Sequence, residues 1–215
     1  NGSILNLDSL LGLTAINGDL YFGSTSASLD LSGLDSLQSI GQAFWLAGTQ
    51  FNGFSGLKKL TTVGGDIRMY SNNQLTDLTG LENIASVGGD LIFQSNPKLE
   101  SFAGLTQLTA IGGKIDLKQN IALTHLSGLE NIASARGISV VNNPALTDLQ
   151  ALGNITQLSG DLTIEENNAL TDLNGLNNLT TVGGTVTIQS NNALTTLTGL
   201  NALSNAGHLY ILSNA

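Results

Sequence analysis

Residues 88–105 read GGDLIFQSNPKLESFAGL, and variants of this stretch recur along the whole chain. The same opening returns as Gly64-Gly65-Asp66-Ile67 and as Gly183-Gly184-Thr185-Val186, and each copy reaches an Asn five residues after its last residue. The repeated unit reads N-x-x-L-x-x-L-x-G-L-x-x-L-x-x-V-G-G-x-L-x-I. A fixed period of this length is typical of a solenoid, in which each repeat forms one coil.

The Asn of the motif sets the register of the coils. Coils are predicted to start near positions 1, 25, 48, 72, 96, 120, 143, 167 and 191, with a further start at Asn214. Only Thr25 and Gly48 replace the Asn at these positions. We therefore predict about nine coils of 23–24 residues in one solenoid domain spanning residues 1–215. Neither end carries an obvious polar capping repeat, so we expect the domain to be part of a longer protein.

Each position that recurs from repeat to repeat has a physical role. Leu91 and Phe93 alternate with polar neighbours, which predicts a short strand with one buried face. The Gly pair before the strand allows positive φ or a close approach of two backbones. The repeated Asn is expected to form an internal ladder, in which each amide satisfies turn backbone groups and stacks on the next Asn.

The pattern G-G-D-L-x-F-x-x-N-x-x-L-x-x-L-x-G-L resembles the receptor L domain, the leucine-rich β-helix of insulin-receptor and epidermal-growth-factor-receptor ectodomains. Bacterial and fungal surface proteins are built similarly. The resemblance implies a mainly β chain, folded as a right-handed parallel β-helix or leucine-rich solenoid. The Cys-rich flank of the receptors is missing, and there are more coils, so growth-factor binding does not carry over.

Composition narrows the classes of partner. The net charge of −9 and the sequence pI near 4.3 disfavour nucleic acid, whose phosphates require clustered Lys and Arg. No apolar run approaches the length that spans a bilayer, so membrane insertion is not expected. The chain has no Cys, and no nucleophile elbow, phosphate-binding loop or zinc-protease motif is evident. We predict no catalytic residues, metal site or cofactor.

In a solenoid the core positions repeat, and the outward positions carry the information that varies. The outward face of the strand after the Gly pair is the candidate ligand-binding face, because aromatic residues cluster in its first coils. Its ligand is expected to be a protein or a glycan at a cell surface. The candidate residues are Tyr21, Phe44, Leu46, Arg68, Tyr70, Ile92 and Gln94.

A second outward face is small, uncharged and regular. Flat Thr arrays on rigid β-solenoids are similar to the surfaces of ice-binding proteins, where spaced hydroxyl and methyl groups order water. Small residues and Thr also suit short strands where coils turn, which offers a purely structural explanation. The candidate ice-binding residues are Thr14, Thr61, Thr62, Thr109, Thr156, Thr180 and Thr181.

Acidic residues also recur in columns, one including Asp66 and Asp90 and another including Asp77 and Asp148. Carboxylates that cap turns explain these columns better than calcium, which needs several oxygens at one point. One catalytic possibility remains, polysaccharide cleavage by Asp116 with Glu165.

The sequence thus favours a non-enzymatic extracellular or cell-surface binding and adhesion module. Two alternatives stay open. The first is an ice-binding solenoid, and the second is a structural filament or spacer subunit that associates end to end through uncapped coils.

Overall fold

A computed structural model describes residues 7–23, 30–51 and 53–215. The predicted coil starts at positions 1 and 25 lie outside the described residues. Within them the chain is mainly β, with short strands and four one-turn 3₁₀ helices. The 3₁₀ helices are Asp8–Leu10, Ser32–Leu34, Ser55–Leu57 and Gln150–Leu152. The strands are β1 (Ala15–Ile16), β2 (Leu20–Gly23), β3 (Ser39–Ile40), β4 (Phe44–Ala47), β5 (Thr62–Val63), β6 (Ile67–Tyr70), β7 (Ser86–Val87), β8 (Leu91–Gln94), β9 (Ala110–Ile111), β10 (Ile115–Lys118), β11 (Ile138–Val141), β12 (Gln157–Leu158), β13 (Leu162–Glu165), β14 (Thr181–Gln189) and β15 (Asn205–Leu212).

Two parallel sheets run along the solenoid and confirm the predicted fold class. The larger sheet contains, in spatial order, β2, β4, β6, β8, β10, β11, β13, β14 and β15, with β12 also paired to β14. The smaller sheet contains β1, β3, β5, β7 and β9. Strands that are neighbours in the larger sheet come from successive coils, about 24 residues apart, and about eight turns separate β2 from β15. Each coil therefore packs only on the coils before and after it.

One continuous apolar core fills the inside of the coils, from Leu31 to Leu194. The motif leucines Leu75, Leu78 and Leu81 are fully buried, as are the inward strand residues Leu91 and Phe93. The motif leucines are three residues apart, which points one Leu inward at each bend. Leu91 and Phe93 are two residues apart, which points both into the core from one face of the strand. A narrow core that continues from coil to coil follows from the repeat.

The repeated Asn residues form the predicted ladder. Asn72, Asn96, Asn120, Asn143, Asn167 and Asn191 are all fully buried. At Asn96 the backbone N–H donates to Oδ1 of Asn120 in the next coil, and its own Nδ2 donates to the carbonyl of Met69 in the previous one. The Asn96 Oδ1 also accepts from the N–H of Asn72, so one amide satisfies two backbone groups of the previous coil that would otherwise be buried without partners at a cost in free energy.

The register of the coil that the sequence predicted to start at Gly48 is wrong by one residue. Thr49, not Gly48, occupies the ladder position, where its hydroxyl donates to Oδ1 of Asn72 at 2.7 Å. The 23-residue coil is therefore the one that starts at Thr49. Because side chains alternate along a strand, a one-residue shift reverses the inward and outward assignments of the preceding strand, β4.

The Gly pairs serve close approach rather than positive φ. A Cβ added to Gly88 would overlap the carbonyl oxygen of Gly64 in the previous coil, and Gly112 meets Gly88 in the same way. Positive φ occurs instead at the Gly of L-x-G-L, such as Gly104, and at the residue before each ladder Asn, such as Ser95.

Candidate functional site

The outward face of the larger sheet has two ranks of side chains that run across its strands. Cross-strand pairing gives the first rank as Tyr21, Trp45, Arg68, Ile92, Asp116, Ser139, Thr163, Thr187 and Tyr210. The second rank is Gly23, Ala47, Tyr70, Gln94, Lys118, Val141, Glu165, Gln189 and Leu212. Five of the seven predicted face residues lie in these ranks, namely Tyr21, Arg68, Tyr70, Ile92 and Gln94.

Phe44 and Leu46 do not belong to the outward face. Phe44 is fully buried and packs edge-on against Phe54, and Leu46 is also buried in the core. The outward residues of β4 are Trp45 and Ala47. The one-residue register error at Gly48 explains both mistakes, and it also hid the single Trp of the chain. The sequence signal for the correct register is Thr49, since Thr25 also replaces Asn in this column.

Trp45 lies at the centre of an aromatic cluster, which we define as Tyr21, Trp45, Arg68 and Tyr70. The ring centroids of Tyr21 and Trp45 are 4.9 Å apart, and those of Trp45 and Tyr70 are 6.1 Å apart. The guanidinium carbon of Arg68 lies 5.6 Å from the Trp45 ring centroid, within the range of a cation–π contact. The cluster presents a rigid aromatic surface with a fixed positive charge above it.

Asp66 holds the Arg68 side chain in place. Nε of Arg68 donates to Oδ2 of Asp66 at 2.9 Å, and a second guanidinium nitrogen donates to the same oxygen. The hydrogen bond to Asp66 raises the pKa of Arg68 above its ordinary value, although partial burial opposes it. The Arg68 guanidinium therefore stays protonated at physiological pH. A shallow groove of about 350 Å³ lies beside the cluster, and its lining includes Asp19, Gln42, Trp45 and Arg68.

Asp116 lies near the middle of the first rank, and it is buried. Nζ of Lys114 donates to its Oδ2 at 2.6 Å, and Nζ of Lys118 lies 3.3 Å from its Oδ1. The hydrogen bond to Asp116 raises the pKa of Lys114, against the effect of burial. A carboxylate neutralised by two lysines is poorly suited to the paired-carboxylate chemistry considered for Asp116 and Glu165.

A second groove, of about 460 Å³, opens at the corner between the Gly pairs and the larger sheet. Its lining includes Asp90, Lys114, Arg136, Ser139, Asp161 and Thr163. Four steps along the first rank separate Trp45 from Ser139, which is about 19 Å at the usual strand spacing. The two grooves therefore lie along the same side of one outward sheet.

The predicted ice-binding residues lie on and beside the smaller sheet and its continuation. Thr14, Thr61, Thr62, Thr109 and Thr156 are exposed, whereas Thr180 and Thr181 are half-buried. Several hydroxyl groups are engaged within the solenoid. The Thr61 hydroxyl donates to the carbonyl of Gln38 at 3.1 Å, and the Thr180 hydroxyl donates to that of Thr156 at 3.0 Å. These bonds tie one coil to the next.

The acidic columns satisfy backbone N–H groups in two ways: one column bonds to the next coil, and the other caps its own turn as predicted. Oδ1 of Asp66 accepts from the N–H of Asp90, and Oδ1 of Asp90 accepts from the N–H of Lys114. In the other column, Oδ1 of Asp77 accepts from Thr79 N–H at 2.8 Å, and Asp148 accepts likewise from Gln150. In the described part of the chain no group of three or more His, Cys, Asp or Glu side chains is placed to hold a metal ion. No helix of the described residues is long and apolar enough to cross a membrane.

Comparison with known proteins identifies the kind of solenoid. Residues 137–214 match the family model of the receptor L domain. No curated protein matches the chain significantly. Together with the parallel sheets and the 24-residue spacing, the match supports a receptor L-domain-like solenoid. Receptor L domains are ligand-binding modules that are typically extracellular, and the fold is not that of a known enzyme family.

Proposed function

We propose that this receptor L-domain-like solenoid is an extracellular, non-enzymatic adhesion module that binds a glycan through the outward face of its larger sheet. The observation that carries the proposal is the aromatic cluster around Trp45. Three aromatic rings and one guanidinium group lie together on a rigid β-surface, in a chain whose aromatic content is only 5%. Tyr21 is exposed and Trp45 and Tyr70 are half-buried, and outward-facing apolar patches of this kind mark interaction sites on soluble proteins.

The chemistry of the cluster suits a sugar. Aromatic faces pack against the C–H groups of a pyranose ring, while the neighbouring polar groups exchange hydrogen bonds with its hydroxyls. Arg68 and Asp66 supply a donor and an acceptor within a few ångströms of Trp45, and Gln42 lines the same groove. The indole N–H of Trp45 is covered by its neighbours and finds no acceptor among the described residues. A protein partner, the other ligand class that the exposed aromatics predict, is one outcome of the test.

The experiment is binding to a printed array of defined neutral and acidic oligosaccharides. We expect wild-type binding to a subset of the array, and we expect Trp45→Ala to lower it at least about tenfold, as removal of a central aromatic anchor does. Tyr210→Ala is the matched control, since Tyr210 is an exposed aromatic of the same rank at the other end of the sheet. Glycan binding that survives Trp45→Ala would remove the cluster as the site. If no glycan binds but a protein is captured in a Trp45-dependent way, the ligand is a protein and not a glycan.

Ice binding through the smaller sheet is a second candidate function. The observation that favours it is an uncharged parallel array in which Thr62 is exposed between Ser39 and Ser86. The engaged hydroxyls of Thr61 and Thr180 weaken the case, because they are committed to neighbouring coils. Inhibition of ice recrystallisation that Thr62→Lys abolishes and Thr106→Lys leaves unchanged would support this function. Equal inhibition by both variants, or none by wild type, would exclude it.

A further inference from the structure

The corner before the larger sheet contains a ladder of carboxylates that reach forward by one coil. Oδ1 of Asp19 accepts from the N–H of Ala43, Oδ1 of Asp66 from that of Asp90, and Oδ1 of Asp161 from that of Thr185. Ala43 and Asp90 directly precede β4 and β8, and Thr185 holds the equivalent position within the longer strand β14. At this corner the solenoid therefore satisfies backbone N–H groups with carboxylate oxygens.

The ladder is interrupted at the coil that contains Arg136. This coil is one residue shorter, since Ala135-Arg136-Gly137-Ile138 replaces the five-residue corner Ile111-Gly112-Gly113-Lys114-Ile115. The carbonyl of Gly137 accepts from Ile115, just as that of Lys114 accepts from Leu91, so Gly137 occupies the carboxylate column. The two residues that should supply carboxylates here are thus a Lys and a Gly.

Two backbone donors are left over as a result. The side chain of Lys114 has no acceptor atom to offer the N–H of Gly137, and Gly137 has no side chain to offer the N–H of Asp161. Neither N–H has a hydrogen-bond acceptor within the described residues. Both residues line the groove of about 460 Å³, together with Lys114 and Arg136. The Arg136 guanidinium has no carboxylate within ion-pair distance in the described part of the chain.

We propose that this groove is a binding site for the carboxylate of an acidic sugar, a uronic acid. The ligand carboxylate takes the place of the carboxylate that the ladder lacks, accepting from the N–H groups of Gly137 and Asp161 and pairing with Arg136. Guanidinium and backbone N–H groups together form a strong, directional carboxylate site. This proposal rests on the proposed function in one respect only, that glycan contacts at Trp45 and at Arg136 lie on the same outward sheet face.

The remaining lining groups select a sugar over a simple carboxylate. Asp90 and Asp161 each use one oxygen within the ladder and keep the second for a hydroxyl donor. Ser139 and Thr163 add hydroxyl groups on the adjacent strands. Vicinal hydroxyls on a ring that also carries a carboxylate match this mixture of acceptors and cations. The volume also falls in the usual range of small-molecule sites.

The test is a titration of ¹⁵N-labelled protein with sodium glucuronate, followed by amide NMR. We expect saturable shifts of the Gly137 and Asp161 amide signals, and we expect Arg136→Gln to weaken binding about tenfold or more, as loss of a charged hydrogen bond does. Lys59→Gln, which removes an exposed cation elsewhere, is the matched control and leaves the affinity unchanged. Insertion of one Asp between Gly137 and Ile138, which restores the five-residue corner, is expected to abolish the response.

The methyl ester of glucuronate and acetate separate the two parts of the recognition. If the methyl ester gives the same response as glucuronate, the proposed carboxylate contact is wrong. If acetate gives the same response, the site does not recognise the sugar ring. An unresponsive wild type overturns the site itself. A monosaccharide in the groove beside Ser139 does not reach Trp45, which lies about 19 Å from Ser139, so these outcomes are independent of the Trp45 array experiment. Array binding that depends on Trp45 without any glucuronate response contradicts this inference alone.

Discussion

The backbone N–H of Asn120 donates to the side-chain oxygen of Asn143, 3.0 Å away in the next coil. The side chain of Asn120 bonds to both neighbouring coils. In the previous coil its Oδ1 accepts from the N–H of Asn96 at 3.1 Å and its Nδ2 donates to the carbonyl of Phe93 at 3.0 Å, and in the next coil Nδ2 donates to Oδ1 of Asn143 at 3.3 Å. A single buried amide therefore joins three coils.

Replacement of Asn120 by Ala is expected to destabilise the solenoid by about 3–5 kcal/mol, because two buried backbone groups lose their partners at about 1–3 kcal/mol each. Urea denaturation measures the free energy of unfolding. Asn131→Ala is the control, since its Nδ2 donates to the Thr106 carbonyl at an exposed position, where the cost is expected to be under about 1 kcal/mol. Equal losses for the two variants would show that the ladder contributes no special stability.

Gly88→Ala is expected to destabilise the fold because the new Cβ would overlap the backbone carbonyl of Gly64. Since neither backbone can move without shifting a whole coil, the cost is expected to be about 2–3 kcal/mol, at the upper end of overpacking effects. Thermal unfolding of the variant checks the prediction. Gly18→Ala provides the comparison, because no heavy atom lies within 4 Å of its added Cβ. A melting temperature that is unchanged in Gly88→Ala would contradict the close-approach role.

The repeat predicted the fold well because each of its positions has a single physical role that every coil reuses. The buried Leu spacing, the Asn ladder and the turn-capping acids all follow from local patterns such as Leu75 to Leu81 and Asp77 to Thr79. The structural role of the Gly pair was harder to predict, since the sequence is consistent with both a positive φ and a close approach of two backbones. Only the contact between Gly88 and Gly64 decides between them.

The candidate site was less predictable because it depends on where coils lose a residue. A 23-residue coil reads almost the same wherever its gap lies. Yet a gap before Thr49 would turn Phe44 outward, whereas the actual gap after Thr49 turns Trp45 outward. The groove at Arg136 has a similar origin. Its unsatisfied N–H groups arise from Lys114 and Gly137 in adjacent coils, a relationship that becomes visible only once the cross-coil hydrogen bonds are known.

The edge strand β15 leads to a prediction about self-association. Its inward residues Leu209 and Ile211 pair with the buried Val186 and Ile188, yet they are 58% and 39% exposed. In the 215-residue chain taken by itself, these apolar side chains on the last strand favour pairing with another strand. Sedimentation equilibrium is expected to show reversible association at high concentration that Leu209→Lys reduces and Thr62→Lys does not. A monomer across the whole concentration range would exclude association of the chain through this edge.

Asp77 is expected to make part of the stability dependent on pH. Burial raises the pKa of this carboxyl, but hydrogen bonds from the N–H of Thr79 and from the Thr79 and Thr76 hydroxyls outweigh it, so the pKa lies below its ordinary value. A folded-state pKa below that of the unfolded chain stabilises the fold above the unfolded value, near 3.9 for Asp. That contribution is lost as the pH falls through the folded value.

Asp77→Asn is therefore expected to cost stability at neutral pH, by about 1 kcal/mol for one weakened hydrogen-bonded turn, and progressively less as the pH falls below about 4. Urea denaturation of both proteins at several pH values between 3 and 7, on the order of one unit apart, follows the difference through this transition. Asp35→Asn is the control, because Asp35 is exposed and its carboxylate accepts no hydrogen bond from the described residues. A difference between wild type and Asp77→Asn that stays constant, or grows, toward acid pH would mean that the Thr79 turn does not favour the ionised carboxylate. The turn would then be held by burial of Leu78 within it and of Leu75 before it, which does not depend on pH.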